Sequence, residues 1–529
     1  MKRRTFLMGG SAVVTAAMMG ERAAFALPGP DELIWADDLP GTLDPHAVSD
    51  VPMQGYMINV YDTLYVNKQN PPKLVPWLAT GHTVADGGLT VTFKLRDGAK
   101  FHDGHPLTSD DVAWSFKRML AIKKGPAAAF LPVLDPDGAT APDPTTVVFK
   151  LKRVYAPFLA ATPLVAILNR RLVEANVKDN DWGQGWLATN AAGSGSYIPD
   201  IEGYQPVQKL DLKRNRDHFM GWSDNTAPIE TVRRRPIRET TTRVNALIKG
   251  DVDCTDSYLP PDQVERVMAS KTATVSKDQS MRLMTLRMNN KKAPFDNLNF
   301  RLAVSHAFNY KGFIDGVLKG YAVRNAGPIP VNLWGAPQDL PAYELDLDKA
   351  KDYLAKAKAE GAPVDREIEI HIQEHLAQTT QAAQILQQGL RKVGVNLKII
   401  PNLWPQLISS TAKPETTPDM WAHWVSSYFI DPENWIGQMY DSQFQGTWKA
   451  SSWYKNEKVD SLLHEARGLE AKDQRQALYE QASRIIVADA VDIWIYNGVE
   501  LRGISRRLRG FNFTPIGSGA DFHTMWLAS

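Results

Sequence analysis

The chain has 529 residues, with 60 Lys and Arg against 59 Asp and Glu, so its formal net charge at pH 7 is +1. With 43% hydrophobic and 22% charged residues and a mean hydropathy of −0.31, it predicts a soluble globular protein large enough for several domains. The balanced charge excludes a surface of one sign that would coat nucleic acid, so no nucleic-acid partner is expected. The single cysteine, Cys254, excludes an internal disulfide and any site built from several cysteines.

The first 26 residues differ from the rest of the chain and predict an export signal. Lys2-Arg3-Arg4 precedes a weakly apolar run over residues 6–20 that is too short and too polar to span a bilayer. Ala24-Phe25-Ala26 supplies the small residues of a cleavage site. The run Arg3-Arg4-Thr5-Phe6-Leu7 resembles a twin-arginine motif, and an ordinary secretory signal is the alternative. Either route predicts a free periplasmic protein of a Gram-negative-type envelope, with no insertion into the membrane.

The first clear element after this signal is a strand over residues 89–95, whose apolar residues alternate and predict one buried face. The dipeptide Asp97-Gly98 predicts a tight turn after it. Thr108, with Asp111 three positions later, predicts a capped helix start. The apolar stripe of that helix consists of Val112, Phe116, Met119 and Leu120.

The second half of the chain alternates between helical and strand patterns. A strand, a helix and a second strand follow one another over residues 368–399, which predicts a largely parallel sheet covered by helices. The sequence therefore predicts a mixed α/β protein with more than one lobe. In chain order, the helices are expected around residues 300–308 and 350–357, then one ending near 393–394, then 462–466 and 478–486, and the strands around 368–372, 395–399 and 493–495.

One long block of sequence identifies a family resemblance. It reads DGGLTVTFKLRDGAKFHDG at residues 86–104 and continues with Pro106-Leu107-Thr108 and Asp110-Asp111-Val112. This block resembles the signature of the peptide/nickel/opine class (family 5) of extracellular solute-binding proteins, the periplasmic receptors of ATP-driven importers. Further blocks match the family in the same order, at residues 43–45, 61–64, 193–197, 242–243, 249–253, 289–296, 301–309, 320–321 and 327–330.

The resemblance implies an α/β fold of two lobes with an extra inserted domain, which closes by a hinge over a central cleft. The hinge crossovers would lie near residues 283–288 and 500–505. The chain would then divide into the signal (1–26), lobe I (27–71, 200–280 and 505–529), the inserted domain II (72–199) and lobe III (281–504).

The resemblance also implies a function in transport. The protein would capture a small polar solute (peptide-like, opine-like or a glycoside) and deliver it to the permease subunits of an ABC importer. It would be a monomer with no catalytic residues and no cofactor. A conventional di- or oligopeptide receptor and a nickel or metal-chelate binder remain alternatives within the family.

Three motifs bear on whether the chain carries other chemistry. Gly193-Ser194-Gly195-Ser196 lacks the frame of a hydrolase nucleophile, and its glycines are expected to permit a turn. The pairs His102 and His105, and His371 and His375, lack a third convergent ligand, so no metal is expected. The carboxylates of Asp431 and Glu433 would serve a glycosidase only if they converged, which their spacing disfavours.

Tryptophans mark the expected ligand site. Of 15 in the chain, six lie between residues 404 and 453, and core packing is expected to account for about half of these six. In the family, the tract that corresponds to residues 404–440 lines the cleft of the second lobe, and Trp404 stands at the position of a cleft tryptophan. Flat rings there could stack on a sugar, an aromatic group or a cation.

A departure from the family pattern bears on the ligand. Peptide receptors of the family carry an aspartate two residues beyond the equivalent of Val425, where it pairs with the free amine of the peptide. Here Ser427 stands at that place, so either Asp431 or Glu433 has taken over the role or the ligand lacks a free α-amine, which we favour. The predicted ligand-binding residues are Trp404, Trp421, Trp424, Ser427, Tyr428 and Asp431.

Overall fold

The computed structural model describes residues 29–374 and 376–528, so the predicted export signal and His375 lie outside the described residues. The elements before the longest strand are β1 (Glu32–Ala36), α1 (Val51–Val60), β2 (Tyr65–Lys68), β3 (Lys73–Pro76), β4 (Ala79–Ala85), β5 (Thr90–Leu95), α2 (Ser109–Ile122), α3 (Ala127–Phe130), β6 (Leu134–Asp143), β7 (Thr146–Leu151), α4 (Phe158–Ala161), α5 (Arg170–Glu174), α6 (Gln184–Leu187), β8 (Tyr197–Pro199), β9 (Leu210–Arg214), β10 (Thr231–Arg234), α7 (Thr240–Lys249), β11 (Cys254–Thr255) and α8 (Pro261–Met268).

The remaining elements begin with the longest strand and end at the last described residues. They are β12 (Ala273–Met288), α9 (Leu298–Ala307), β13 (Ala322–Arg324), α10 (Leu347–Ala359), β14 (Ile368–Gln373), α11 (Ala377–Lys392), β15 (Leu397–Asn402), α12 (Trp404–Ser410), β16 (Met420–Val425), α13 (Ile436–Tyr440), α14 (Glu457–Gly468), α15 (Lys472–Ala488), β17 (Asp492–Ser505), β18 (Leu508–Arg509) and β19 (Trp526–Leu527).

One sheet of eleven strands runs through both lobes. Its order is β15-β14-β16-β12-β17-β11-β1-β10-β9-β8, with β13 paired to β17. The long strands β12 and β17 are antiparallel neighbours whose register breaks between Gln279 and Leu283. Before the break β12 contributes Val275 to a core shared with β1, and after it Met284 belongs to a core shared with β14. The break therefore separates two hydrophobic cores along the same strands, and the hinge crossovers near residues 283–288 and 500–505 stay predictions.

The helical and strand patterns of the second half are confirmed, but the prediction of a largely parallel sheet is wrong. Only β14 with β15 and β16, and β1 with β10 and β11, pair in parallel, whereas β12 is antiparallel to both of its neighbours. The physical reason is that the chain enters lobe III along β12 and leaves it along β17. Two strands that cross the same junction in opposite senses must pair antiparallel.

A separate four-stranded sheet, in the order β4-β5-β7-β6, carries the signature block. Val91, Phe93 and Leu95 are buried beneath α2 as predicted, but Leu89 is 38% exposed because the strand begins only at Thr90. At the start of α2, the Oδ2 of Asp111 accepts hydrogen bonds from the backbone N and the Oγ1 of Thr108, at 2.9 and 3.0 Å. This sheet falls within the range expected for domain II, and the exact domain bounds remain predictions.

The Gly-Ser-Gly segment serves close packing, and the backbone bends at Gly195 and Ser196 as it enters β8. A Cβ on Gly193 would lie 1.9 Å from the carbonyl oxygen of Val60, and one on Gly195 would lie 2.4 Å from that of Asn59. These glycines lack the positive φ of a glycine-dependent turn, so their small size is what the end of α1 requires. Ser194 is buried, and its Oγ donates a hydrogen bond to Oδ2 of Asp62 at 2.7 Å.

Candidate ligand-binding site

A narrow space with a volume of about 30 Å³, partly open to solvent, lies where β12 and β17 pass side by side between the lobes (the crossing point). Tyr258, which follows β11 in lobe I, and Trp424 of β16 in lobe III both line it, and their rings meet edge to face. The rest of the lining includes side chains from the crossing strands and from the start of α11. Among these lining residues are Ser257, Ser280, Arg282, Gln378, Tyr496, Gly498 and Glu500.

Arg282 places a positive charge on the wall of this space. Its Nη2 lies 3.2 Å from Oε1 of Glu500, and both side chains are 6% exposed. Its guanidinium also lies over the ring of Tyr258, 4.6 Å from the ring centroid. A guanidinium that stacks on an aromatic face keeps its edge directed toward acceptors. The arrangement fixes one charge of each sign at the crossing point.

A chain of hydrogen bonds orients the aromatic wall. Nε1 of Trp424 donates to Oη of Tyr496 at 3.0 Å, and that hydroxyl donates to Oε1 of Gln378 at 2.5 Å. The ring of Trp424 is partly exposed and its centroid lies 6.2 Å from that of Tyr258. The polar atom of Trp424 is therefore satisfied within the protein, and its ring packs against Tyr258 from the other lobe.

The other predicted tryptophans belong to a second aromatic group of Trp404, Trp421, His423 and Trp448. Trp421 is fully buried, stacks on His423 at 4.1 Å between ring centroids, and donates from Nε1 to Oγ of Ser451 at 3.1 Å. Trp404 begins α12 and is partly exposed, with its ring centroid 6.2 Å from that of Trp421. Trp404 and Trp448 are thus the partly exposed members, and Trp421 lies beneath them.

The loop after β16 is docked against lobe I. The carbonyl oxygens of Ser427 and Tyr428 each lie 3.4 Å from Nε2 of Gln54 in α1, which donates to them. Ser427 is 3% exposed, and the ring of Tyr428 packs into the hydrophobic core of the four-stranded sheet. The backbone at the predicted amine position is therefore tied to α1, next to the Tyr428 ring in the core of the four-stranded sheet.

The two acids that follow this loop are already paired with buried arginines. Oδ1 of Asp431 lies 2.7 Å from Nη2 of Arg475, and Oε1 of Glu433 lies 2.9 Å from Nε of Arg467. Burial raises the pKa of Asp431, and it raises the pKa of Glu433 to about 7. Binding of a ligand amine by either carboxylate would require it to leave its arginine, and the same pairing weighs against their use as a glycosidase pair.

The histidines considered as metal ligands have other partners. Nε2 of His102 lies 3.0 Å from the carbonyl oxygen of Gly195, and Nδ1 of His105 lies 3.1 Å from Oδ2 of Asp103. His371 lies 3.7 Å from Glu369. Within residues 29–374 and 376–528, no three His, Cys, Asp or Glu side chains come close enough together to hold a metal ion.

Sequence reasoning missed Tyr258, Arg282 and Glu500 at the crossing point. Arg282 and Glu500 are 218 positions apart and meet only because β12 and β17 pair. The one available signal was that both residues lie at or next to the predicted crossovers. No local pattern distinguishes them from other strand residues.

Comparison with known protein families identifies the chain. The model of the bacterial extracellular solute-binding proteins, family 5 (middle region), matches residues 73–447. The chain belongs to this family. As a family 5 protein it is a solute-binding protein of a transport system, a class whose members bind their solutes without converting them.

Individual relatives agree along most of the chain. The sequence is 30% identical over 444 residues to DdpA of Escherichia coli K12, described as a probable D,D-dipeptide-binding periplasmic protein, covering 83% of this chain and 82% of the relative. The fold matches DppA of Helicobacter pylori, an ABC transporter-associated periplasmic binding protein in complex with the peptide STSA, with a TM-score of 0.83 and 24% identity over 95% of this chain and 99% of that one.

A third relative carries a metal chelate. NikZ of Campylobacter jejuni, in complex with Ni(L-His), matches with a TM-score of 0.81 and 19% identity over 94% of this chain and 100% of that one. These structures establish the two-lobed periplasmic-binding-protein fold. In the part of the chain that the structure describes, no helix is both long and apolar enough to cross a membrane.

Proposed function

We propose that this family 5 protein captures a small polar solute, peptide-like, opine-like or a glycoside, in the periplasm and delivers it to the permease subunits of an ABC importer. The observation that carries the proposal is the narrow space beside β12 and β17 at the junction of the lobes, because its lining residues come from both lobes. The space is too small for a solute while Tyr258 and Trp424 are in contact, so in this proposal the lobes part to admit the ligand and then close on it.

The predicted site residues divide into two groups in this proposal. Trp424 and Trp404 contact the ligand, because both rings are partly exposed and Trp424 faces the space between the lobes. The others shape the site from behind, because they are buried and already partnered: Trp421, Ser427, Tyr428 and Asp431.

A ligand without a free α-amine fits this site best. Ser427 stands at the amine position of the family, and the nearest acids, Asp431 and Glu433, are held by Arg475 and Arg467. A conventional di- or oligopeptide receptor is the second candidate, because DppA of Helicobacter pylori holds the peptide STSA. A nickel-chelate binder is the third, because NikZ of Campylobacter jejuni holds Ni(L-His).

Thermal unfolding with four matched peptide libraries tests the proposal. The libraries are random tripeptides with a free or acetylated amino terminus, each with a free or amidated carboxyl terminus, and nickel–histidine is a fifth probe. A peptide-like ligand at 100 times its Kd should stabilise the protein by about 2.7 kcal/mol. Acetylated libraries should stabilise at least as well as free ones, and a strict need for the free amine would favour the conventional peptide receptor.

A pair of tryptophan variants tests the site. Trp424→Ala should abolish the stabilisation by the binding library, whereas Trp526→Ala, which removes a 39% exposed tryptophan on β19, should leave it intact. Small-angle scattering should show a smaller radius of gyration with the binding library than without it. If Trp424→Ala retained full stabilisation, the ligand would not lie at the crossing point.

Export and assembly complete the proposal. We infer a monomer that is cleaved before Leu27, which amino-terminal sequencing and sedimentation of periplasmic material would test. Replacing Arg3-Arg4 with Lys-Lys should strongly reduce export if the twin-arginine route is used. Unchanged export would favour the general secretory route.

A further inference from the structure

Lys449 is an amine held in a place that offers it only neutral partners. Nζ donates to Oδ1 of Asn434 at 2.9 Å and to Oε1 of Gln438 at 2.5 Å, and the backbone oxygen of Asn434 lies farther away, at 3.5 Å. Nζ also lies 4.6 Å from the ring centroid of Tyr428. Among the described residues, no carboxylate lies within 4.0 Å of this nitrogen.

The surrounding structure points the acceptors at the lysine. Nδ2 of Asn434 donates to the carbonyl oxygen of Ser426 at 3.0 Å, which fixes the amide so that Oδ1 faces Lys449. The backbone of Lys449 is held as well, because Nη1 of Arg287 donates to its carbonyl oxygen. The amine is therefore built into the site, and it is not a loose surface side chain.

The charged and titratable groups around Lys449 leave it without a counter-ion. Glu433 is the carboxylate that acts on it electrostatically, but this acid is bound to Arg467. Burial keeps the phenol of Tyr428 neutral by raising its pKa, and burial holds the pKa of His423 well below its usual range. Arg287 adds positive charge and is paired with Asp492 at 3.0 Å. The partly buried ammonium therefore has no carboxylate as a direct partner.

The position of Lys449 connects it with the ligand site. It lies over the ring of Tyr428, whose backbone contacts Gln54 of lobe I and whose hydroxyl lies within electrostatic reach of Asp50, Tyr258 and Arg282. We propose that the solute presents a carboxylate to Lys449, at the edge of the Tyr428 ring, where the bound anion completes the coordination of the ammonium. This inference rests on the proposed function and adds that the ligand group next to Lys449 is negatively charged.

Proton uptake gives the inference a signature of its own. Burial lowers the pKa of Lys449 to about 7, so at pH 8 most of the amine is neutral before binding. A carboxylate beside it favours the charged form and raises that pKa. Binding at pH 8 should therefore take up close to one proton per ligand, which a purely structural lysine would not do.

The same four tripeptide libraries test the charge of the ligand. For the wild-type protein, the libraries with a free carboxyl terminus should bind more than about tenfold tighter than the amidated ones. Lys449→Met should remove that preference, whereas Lys291→Met, which removes an exposed lysine lying 5.7 Å from the ring centroid of Trp453, should keep it. Calorimetry of the wild type with the tightest acetylated carboxylate peptide, in buffers of different ionisation enthalpy, should show the proton uptake.

Each of the remaining results would contradict the role of Lys449, and the last would contradict the peptide-like ligand as well. Equal binding of carboxylate and amide libraries, or a carboxylate preference that survives in Lys449→Met, would overturn the role of Lys449 while leaving the proposed function standing. Binding without proton uptake in the wild type would overturn it even if Lys449→Met failed to fold. If none of the four libraries bound, both this inference and the peptide-like ligand would be wrong.

Discussion

Replacing His46 with glutamine should change how the stability of this protein depends on pH. Nε2 of His46 lies 2.9 Å from the carbonyl oxygen of Ala166, which can only accept, so Nε2 carries the proton. Nδ1 lies 3.1 Å from Nη1 of Arg118, which can only donate, so Nδ1 is unprotonated. The geometry therefore requires the neutral imidazole, and a second proton would be placed against a guanidinium.

The size of the effect follows from the shift in pKa. Burial, together with Arg118, lowers the pKa of His46 from 6.5 to about 4. The unfolded chain binds this proton between those two pH values and the folded protein does not, so the stabilisation is complete above pH 6.5 and is lost as the pH falls toward 4. At pH 5 the loss is about 2 kcal/mol, since each pH unit below 6.5 costs about 1.4 kcal/mol.

The assay compares the free energy of unfolding of the wild type and His46→Gln in denaturant at pH 7.5 and at pH 5. Glutamine retains a donor for Ala166, so the variant should be less stable at pH 7.5 by only about 1–3 kcal/mol. That difference should shrink by about 2 kcal/mol at pH 5, because only the wild type must keep an imidazole neutral. All other groups are common to both proteins and cancel.

The same substitution at the exposed His464 is the reference for removing an imidazole from the surface. The reasoning would be refuted if the difference between wild type and His46→Gln stayed constant from pH 7.5 to pH 5. It would then follow that the folded protein accommodates a charged imidazole beside Arg118.

Five further substitutions test packing, ligand binding, close backbone contact and buried charge. Trp421→Ala should cost about 3–5 kcal/mol of folding stability because the ring is fully buried. Trp404→Ala, at a partly exposed ring, should cost less stability and should instead weaken ligand binding. Denaturant melts measure the first effect and calorimetric titration the second. Gly193→Ala should destabilise by more than about 1–3 kcal/mol, because its Cβ would meet a backbone oxygen at 1.9 Å that cannot move alone; an unchanged melting temperature would contradict this. Arg475→Met should cost about 3–5 kcal/mol by leaving Asp431 buried without its partner, and most of that loss should be recovered when Asp431→Asn is added.

Several features of the fold could be predicted from sequence because they depend on neighbours along the chain. The alternation after Thr90, the bond between Thr108 and Asp111, and the strand–helix–strand unit around α11 follow from periods of two and about 3.6 residues. The signature block identified the family, and the match over residues 73–447 confirms it. Family position marks Trp424 as a ligand-binding residue, and the structure places it on the wall of the space between the lobes.

Tertiary structure alone decided which charges are available to a ligand. Asp431 and Glu433 look like free acids in the sequence, yet Arg475 and Arg467 neutralise them from α15 and α14. Arg282 and Glu500 meet only through the pairing of β12 and β17, and Lys449 stands out only because amide oxygens surround its amine. Local sequence fixes backbone periodicity, whereas electrostatic energy depends on distance and burial, and both are set by residues far apart in the chain.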